Sequence, residues 1–272
     1  SGFGALKGMR YLTAVHVDGC RGLRGMMFRD VLENCHGLIE LTASGLPMLT
    51  DEAVRAIAAR KSSFGYTGGT SGVLELRLLD FSKCRRLTDL SLQWLASKLM
   101  NIRAMHLSEC LLISDASLNM IARSCVHLQS LRLKNCSRIT DAGLIFLAKC
   151  LAEHNRHKKE EDCEPASAVA ASVVLPYGCG QYDELSGKGN GGDFKPVGLT
   201  ELDLSGCVRV GDSGIRALAN VSKHLRSLQL NNVTSMGDAG LQYVAKHCTQ
   251  LERIELCGNP RLTDVGVCSL LK

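Results

Sequence analysis

The residues of this chain best equipped for chemistry are its thirteen cysteines, its eight histidines and an aspartate that returns at intervals. Together they offer thiol nucleophiles, disulfides, metal ligands or a row of carboxylates. His154, His157, Cys163 and Cys179 form the densest histidine and cysteine group, spaced H-x2-H-x5-C-x15-C. A four-ligand zinc site needs short, paired spacings that preorganise a tetrahedron. This spacing matches none of the strong signatures, so no metal is expected. No Walker loop, G-x-S-x-G elbow, H-E-x-x-H or paired CxxC occurs, and the glycines of GKGNGGDF lack a following Lys-Ser/Thr. With no nucleophile, base and oxyanion donor brought together by any motif, neither an enzyme nor a cofactor is expected.

What the cysteines and aspartates share is position. Units of the form L-x-x-L-x-L-x-x-C begin at Leu12, Leu38, Leu76, Ile102, Leu128, Leu199, Leu225 and Leu251. Five of the seven steps are 26 residues, and the other two are 38 and 71. So strict a period marks a solenoid, in which a unit buries its apolar face only by stacking on its neighbours. The whole of residues 1–272 therefore reads as one domain of about eight repeats.

In the unit LTELDLSGCVRVGDSGIRALA, Leu202 and Leu204 are two apart and share one face of a short strand, with Glu201, Asp203 and Ser205 on the other. Val210, Ile215 and Leu218 are spaced for one stripe of a helix. Between them stands Thr-Asp, Ser-Asp or Gly-Asp, giving Asp51, Asp89, Asp115, Asp141, Asp212, Asp238 and Asp264. A Thr, Ser or Gly N-cap followed by Asp in the first turn predicts seven helix starts and assigns the aspartates to capping. Cys20, Cys84, Cys110, Cys136 and Cys207 close the strand motif and should stack as small apolar groups. So many unpaired thiols point to a reducing compartment, cytoplasm or nucleus.

The expected fold is α/β: a leucine-rich-repeat solenoid, or horseshoe, with parallel strands on the concave face and helices on the convex face. The unit resembles the cysteine-containing subclass of leucine-rich repeats found chiefly in F-box leucine-rich-repeat proteins. That resemblance covers residues 12 to 272 apart from two insertions and is best from Ile102 to Cys150. It implies a repeat domain that captures a protein substrate for a ubiquitin ligase. An F-box would precede the repeats, where only about eleven residues stand. The resemblance thus implies the recognition half, with ligase subunits engaged through a region outside this chain. Similar repeats also serve as scaffolds in cilia and flagella, so a structural subunit of a large intracellular assembly is the alternative.

Two insertions interrupt the period. One, at about residues 60–72, is the polar loop KSSFGYTGGTSG with Phe64 and Tyr66 inside it. The other, at about 151–198, runs from a charged stretch through AVAASVVLP to a glycine-rich tail and reads as largely disordered. Val169 to Tyr177 is the piece of it that could dock a partner or fold across the rim.

The binding face follows from geometry, because strand positions between the buried leucines face the concavity. They include His16, Asp18, Asp80, His106, Arg132, Lys134, Asp203, Gln229, Asn231 and Glu255, with Thr42, Ser44, Ser82, Ser108, Ser205 and Cys257 beside them. Charge changes sign along this row, with a basic step at Arg132 and Lys134 between acidic Asp80 and Asp203. A protein partner with a matching mixed pattern is expected. The formal charge of +5, from 32 basic and 27 acidic residues, argues against nucleic acid. No apolar run approaches the roughly 20 residues that cross a bilayer, which argues against a membrane.

Overall fold

A computed structural model of the protein describes residues 11–23, 35, 37–58, 76–96, 98–161 and 198–271. Each unit contributes a three-residue strand: β1 (Ala14–His16), β2 (Glu40–Thr42), β3 (Leu78–Asp80), β4 (Ala104–His106), β5 (Ser130–Arg132), β6 (Glu201–Asp203), β7 (Ser227–Gln229) and β8 (Arg253–Glu255). These pair in parallel and in chain order to make one eight-stranded sheet. The register is the repeat itself, since Ala14 lies opposite Glu40 and Ser227 opposite Arg253. The register continues across both insertions: Glu40 still meets Leu78, and Ser130 meets Glu201.

Helices follow the strands from the second unit on: α1 (Asp51–Ala58), α2 (Asp89–Ala96), α3 (Asp115–Ser124), α4 (Asp141–Glu161), α5 (Asp212–Val221), α6 (Asp238–His247) and α7 (Asp264–Ser269). All seven begin at the predicted aspartate. Strands stack at about 4.8 Å but helices at roughly 10 Å, so the sheet becomes the inner, concave wall and the helices the outer one. A three-residue strand has little stability alone. What holds the stack is the seam behind it, where Leu41, Leu79, Met105, Leu131, Leu202 and Leu228 are buried. Each such side chain contributes roughly 1.5–3 kcal/mol over its exposed state.

Two further ladders run through the repeats. Ahead of the cysteine position the backbone turns left-handed in all eight units, at Gly19, Gly45, Lys83, Glu109, Asn135, Gly206, Asn232 and Gly258. The cysteine thiol then donates to a carbonyl of the preceding repeat: Cys84 to Ala43 (3.2 Å), Cys110 to Phe81 (3.1 Å), Cys136 to Leu107 (3.2 Å) and Cys207 to Leu133 (3.1 Å). Asn259 reaches the matching carbonyl of Leu230 with its amide (2.8 Å). These four thiols therefore stack, as expected, and also join one repeat to the next, whereas Cys20, expected to stack with them, is exposed.

Two expectations change. The Thr88, Ser114, Thr140 and Thr263 hydroxyls cap their own helices as expected, but the aspartates bond across repeats: from Asp51 to Asp238 each carboxylate accepts from the N-cap of the following unit. Thr88 donates its N–H (2.8 Å) and hydroxyl (2.7 Å) to Asp51, and Ser114 does the same to Asp89 (2.8 and 2.7 Å). Gly211 and Gly237, lacking a hydroxyl, give only their N–H, to Asp141 (2.7 Å) and Asp212 (2.8 Å). Second, the chain does not leave the solenoid at Leu151. Helix α4 runs to Glu161, because LAEHNRHKKEE holds neither glycine nor proline and is rich in helix formers. The rest of that insertion, the first insertion and Arg24-Gly25 of the first unit lie outside the described residues, with Phe64, Tyr66 and Val169 to Tyr177 among them.

Candidate protein-binding face

The outward strand positions form a polar floor in three parts. At the N-terminal end, the Thr42 hydroxyl donates to Asp18 Oδ2 (2.6 Å), Ser44 N–H donates to Asp18 Oδ1 (2.6 Å), and His16 Nδ1 meets Thr42 Oγ1 (2.9 Å). His, Thr and Asp in contact suggest a nucleophilic relay, but the order is wrong for one. The threonine proton points at Asp18, so His16 is not placed to remove it. His16 Nε2 also lies 3.8 Å from Glu40.

In the middle, Asp80 Oδ1 accepts from Ser82 N–H (2.8 Å) and Oδ2 faces His106 Nδ1 at 3.4 Å. Burial pushes the Asp80 carboxyl upward, but the His106 and Ser82 hydrogen bonds outweigh it and hold the group below its ordinary value. The basic step is not open in the way its sequence suggested. Arg132 donates from Nε (3.1 Å) and Nη2 (2.7 Å) to Glu201 Oε1, while Ser130 donates to Oε2 (2.9 Å). Desolvation of Glu201 is again outweighed, by Arg132 and Ser130, and its carboxyl sits below the usual range. Lys134 is exposed and, among the described residues, is in no ion pair, so the free positive charge of the step is Lys134 alone.

At the C-terminal end, Asn231 Nδ2 donates to Glu255 Oε2 (2.8 Å), and its own carbonyl oxygen accepts from Cys257 N–H (2.8 Å). Glu255 Oε1 also takes Arg253 Nε (3.1 Å) and stands 3.5 Å from Gln229 Nε2. Asp203 differs from its neighbours. It is 6% exposed, although it occupies an outward position, and among the described residues its carboxylate takes a single hydrogen bond, from Ser205 N–H (2.9 Å).

The row of candidates taken from sequence left out Glu40, Glu201 and Arg253. Period-two alternation puts them on the same face, one step earlier in each strand, so the signal was present. The thiols take no part in such a site. Burial drives Cys84 up to about 11 and Cys136 up to about 12, which leaves both protonated near neutrality. Among the described residues no three His, Cys, Asp or Glu side chains converge to hold a metal. Cys163 and Cys179 lie outside those residues. No helix among them is long and apolar enough to cross a membrane.

Comparison with known proteins agrees with this geometry. The Leucine Rich repeat family matches at residues 124–148 and 199–219. Among solved structures, yeast Rad7 in its complex with Elc1 is similar at a TM-score of 0.52 and 14% identity, covering 95% of this chain and 66% of that one. An internalin, InlF of Listeria monocytogenes, is similar at 0.51 and 14%, covering 97% of this chain and 60% of that one. This chain thus spans less than two thirds of the length of either. No curated protein matches it. With its 26-residue return, its single parallel sheet and these likenesses, the chain folds as an α/β solenoid of the leucine-rich-repeat type.

Proposed function

We propose that the protein is a non-catalytic recognition module that binds a protein partner on its concave face, as the substrate-recognition part of an F-box-type ubiquitin ligase. One observation carries this reading. From unit to unit the seam stays apolar, while the second outward position changes charge and size through His16, Thr42, Asp80, His106, Arg132, Asp203, Gln229 and Glu255. Six residue types over eight units, of both charge signs, make a patterned surface that a partner of matching pattern can read. Rad7, similar in fold, is seen in a complex with Elc1, which supports a role within an assembly. The ligase role itself rests on the cysteine-bearing form of the repeat, and engagement of ligase subunits would lie outside this chain.

The second reading is a structural subunit of a large intracellular assembly. The exposed apolar side chains Val265, Val267 and Leu271 beside α7 favour it, because they suit end-on contact. Affinity purification of the full-length protein with mass spectrometry separates the two. Ubiquitin ligase subunits, together with a substrate that is lost on Lys134→Glu, would support the first. Cytoskeletal or ciliary components that persist in Lys134→Glu and are lost on Val265→Asp would replace it with the second.

A further inference from the structure

Asp80 and Asp203 occupy the same place in their repeats and begin the same turn. Each heads a D-x-S segment, Asp80-Phe81-Ser82 and Asp203-Leu204-Ser205, and each takes the serine N–H on Oδ1, at 2.8 and 2.9 Å. They differ in what meets the second oxygen. Asp80 Oδ2 faces His106, supplied by the next strand, at 3.4 Å. The residue in register on the strand after Asp203 is Gln229, and its amide nitrogen is directed to Glu255 Oε1 (3.5 Å) instead. On the preceding strand the residue in register is Arg132, whose guanidinium is bound to Glu201 Oε1. Both flanking groups able to answer Asp203 are therefore turned elsewhere. Among the described residues no donor meets its Oδ2, which is therefore the oxygen left to the small opening of a residue only 6% exposed.

A carboxylate this enclosed, with one oxygen bonded and the other reached only through a small opening, is poorly solvated for an anion, and a cation entering from the concave side would complete it. The adjoining Gln229 and Glu255 extend the acceptor-rich floor across two more strands, in one register row. We propose that Asp203, with Gln229 beside it, is a socket for a basic side chain, lysine or arginine, carried by an extended segment of the protein partner. This deepens the reading of the concave face as the recognition surface and rests on it.

The test is selection of a displayed random-peptide library on the immobilised wild-type protein, with the selected peptides then measured against variants. The expected result is enrichment of lysine or arginine at one peptide position. Asp203→Asn should weaken those peptides by roughly tenfold or more, since a buried charge pair would lose one member. Glu52→Gln, on the outer helix α1, should leave them unchanged. Gln229→His gives an independent check that does not remove the carboxylate, because it reproduces the β3 arrangement, fills Oδ2 from within and should also abolish the basic preference. Thermal melting of each variant separates loss of binding from loss of fold. Peptides that bind the concave face and lose affinity on Lys134→Glu, yet show no basic preference or are untouched by Asp203→Asn, would overturn the socket and leave the concave reading standing. A selection that yields no peptides, or only peptides insensitive to both Lys134 and Asp203, would overturn both.

Discussion

Thr140, the residue that opens α4, donates both its N–H (2.8 Å) and its hydroxyl (2.6 Å) to the Asp115 carboxylate at the start of α3. One side chain thus closes the junction between two repeats at their helical edge, as the cysteine thiols do nearer the sheet. Hydrogen bonds to a charged group contribute roughly 1.5–3 kcal/mol each where they are shielded, and the half-buried Asp115 belongs at the lower end. Asp115→Ala is expected to lower stability by about 2–3 kcal/mol, which a shift in urea midpoint at constant slope would register. A loss within about 0.5 kcal/mol, the usual range for surface changes, would mean that the clamp is not structural.

The same clamp at Asp89 predicts acid sensitivity. Burial raises the Asp89 carboxyl, but hydrogen bonds from Ser117 and Ser114 outweigh that and bring it below its ordinary 3.8. A group whose folded value is depressed stabilises the native state above its unfolded value and loses that contribution as pH falls through the folded one. The gap in melting temperature between wild type and Asp89→Asn should therefore be constant above about pH 5 and shrink as pH falls below about 4. A gap that widens on acidification would reverse the sign and refute the assignment.

Two residues beyond each clamp aspartate the side chain must be small. Ser117 uses this place to donate its hydroxyl to Asp89 Oδ1 (2.5 Å), whereas Gly143 leaves room: a Cβ there would stand 2.3 Å from Asp115 Oδ1. Helix propensity alone favours Gly143→Ala by roughly 0.5–1 kcal/mol. Crowding against a bonded carboxylate should reverse this to a net loss of about 1–3 kcal/mol, with Gly143→Ser less harmful because its hydroxyl can donate as Ser117 does. Calorimetry on the two variants decides the matter, and a higher melting temperature for Gly143→Ala would show that Asp115 moves aside freely.

These junctions show where sequence reading succeeds and where it stops. The seam leucines and the helix starts are local patterns, and a period of 26 repeats them until they are unambiguous. The adjacent Thr-Asp pair rightly suggests that Thr140 caps its own helix, as it does through Ala142 N–H (3.2 Å), but the partner of Asp115 is 25 residues away and no local pattern points to it. The small residue two positions later, Ser or Gly in six of the seven helices, was the available hint. Side-chain choice is harder still. Nothing in the spacing says that Arg132 takes Glu201 and leaves Asp203, because both acids lie within its reach and the outcome depends on rotamers.

Thiol reactivity offers a test of the cysteine ladder. Cys84, Cys125, Cys136 and Cys248 are buried and their thiols are pushed up to about 11, 12, 12 and 11 by desolvation, whereas Cys20, Cys257 and Cys268 are exposed. Since the thiolate is the reactive form, a disulfide reagent at pH 8 should label the exposed three within the first phase. The buried four should react only at the rate of unfolding, and mass mapping of the labelled peptides would identify them. Early labelling of Cys136 would show that the seam opens without global unfolding.

Lys83 is the position where substitution should raise stability most. It holds a left-handed backbone, at φ 62°, in a position that glycine fills in four other repeats. Its N–H is bonded to the Ser108 carbonyl (2.6 Å), which fixes that conformation through the backbone. For a residue with a Cβ the left-handed region costs roughly 1–2 kcal/mol, and glycine avoids that cost while adding some entropy to the unfolded chain. Lys83→Gly should therefore be stabilising by up to about 1 kcal/mol. Glu109, at φ 60° in the next unit, is the control, because its carboxylate faces Arg85 at 3.5 Å and Glu109→Gly would lose that contact. The exposed ion pair offsets only part of the backbone gain. The order of melting temperatures is then Lys83→Gly above Glu109→Gly above wild type, and a Lys83→Gly variant that melts below wild type would show that the side chain makes a contribution larger than its strain.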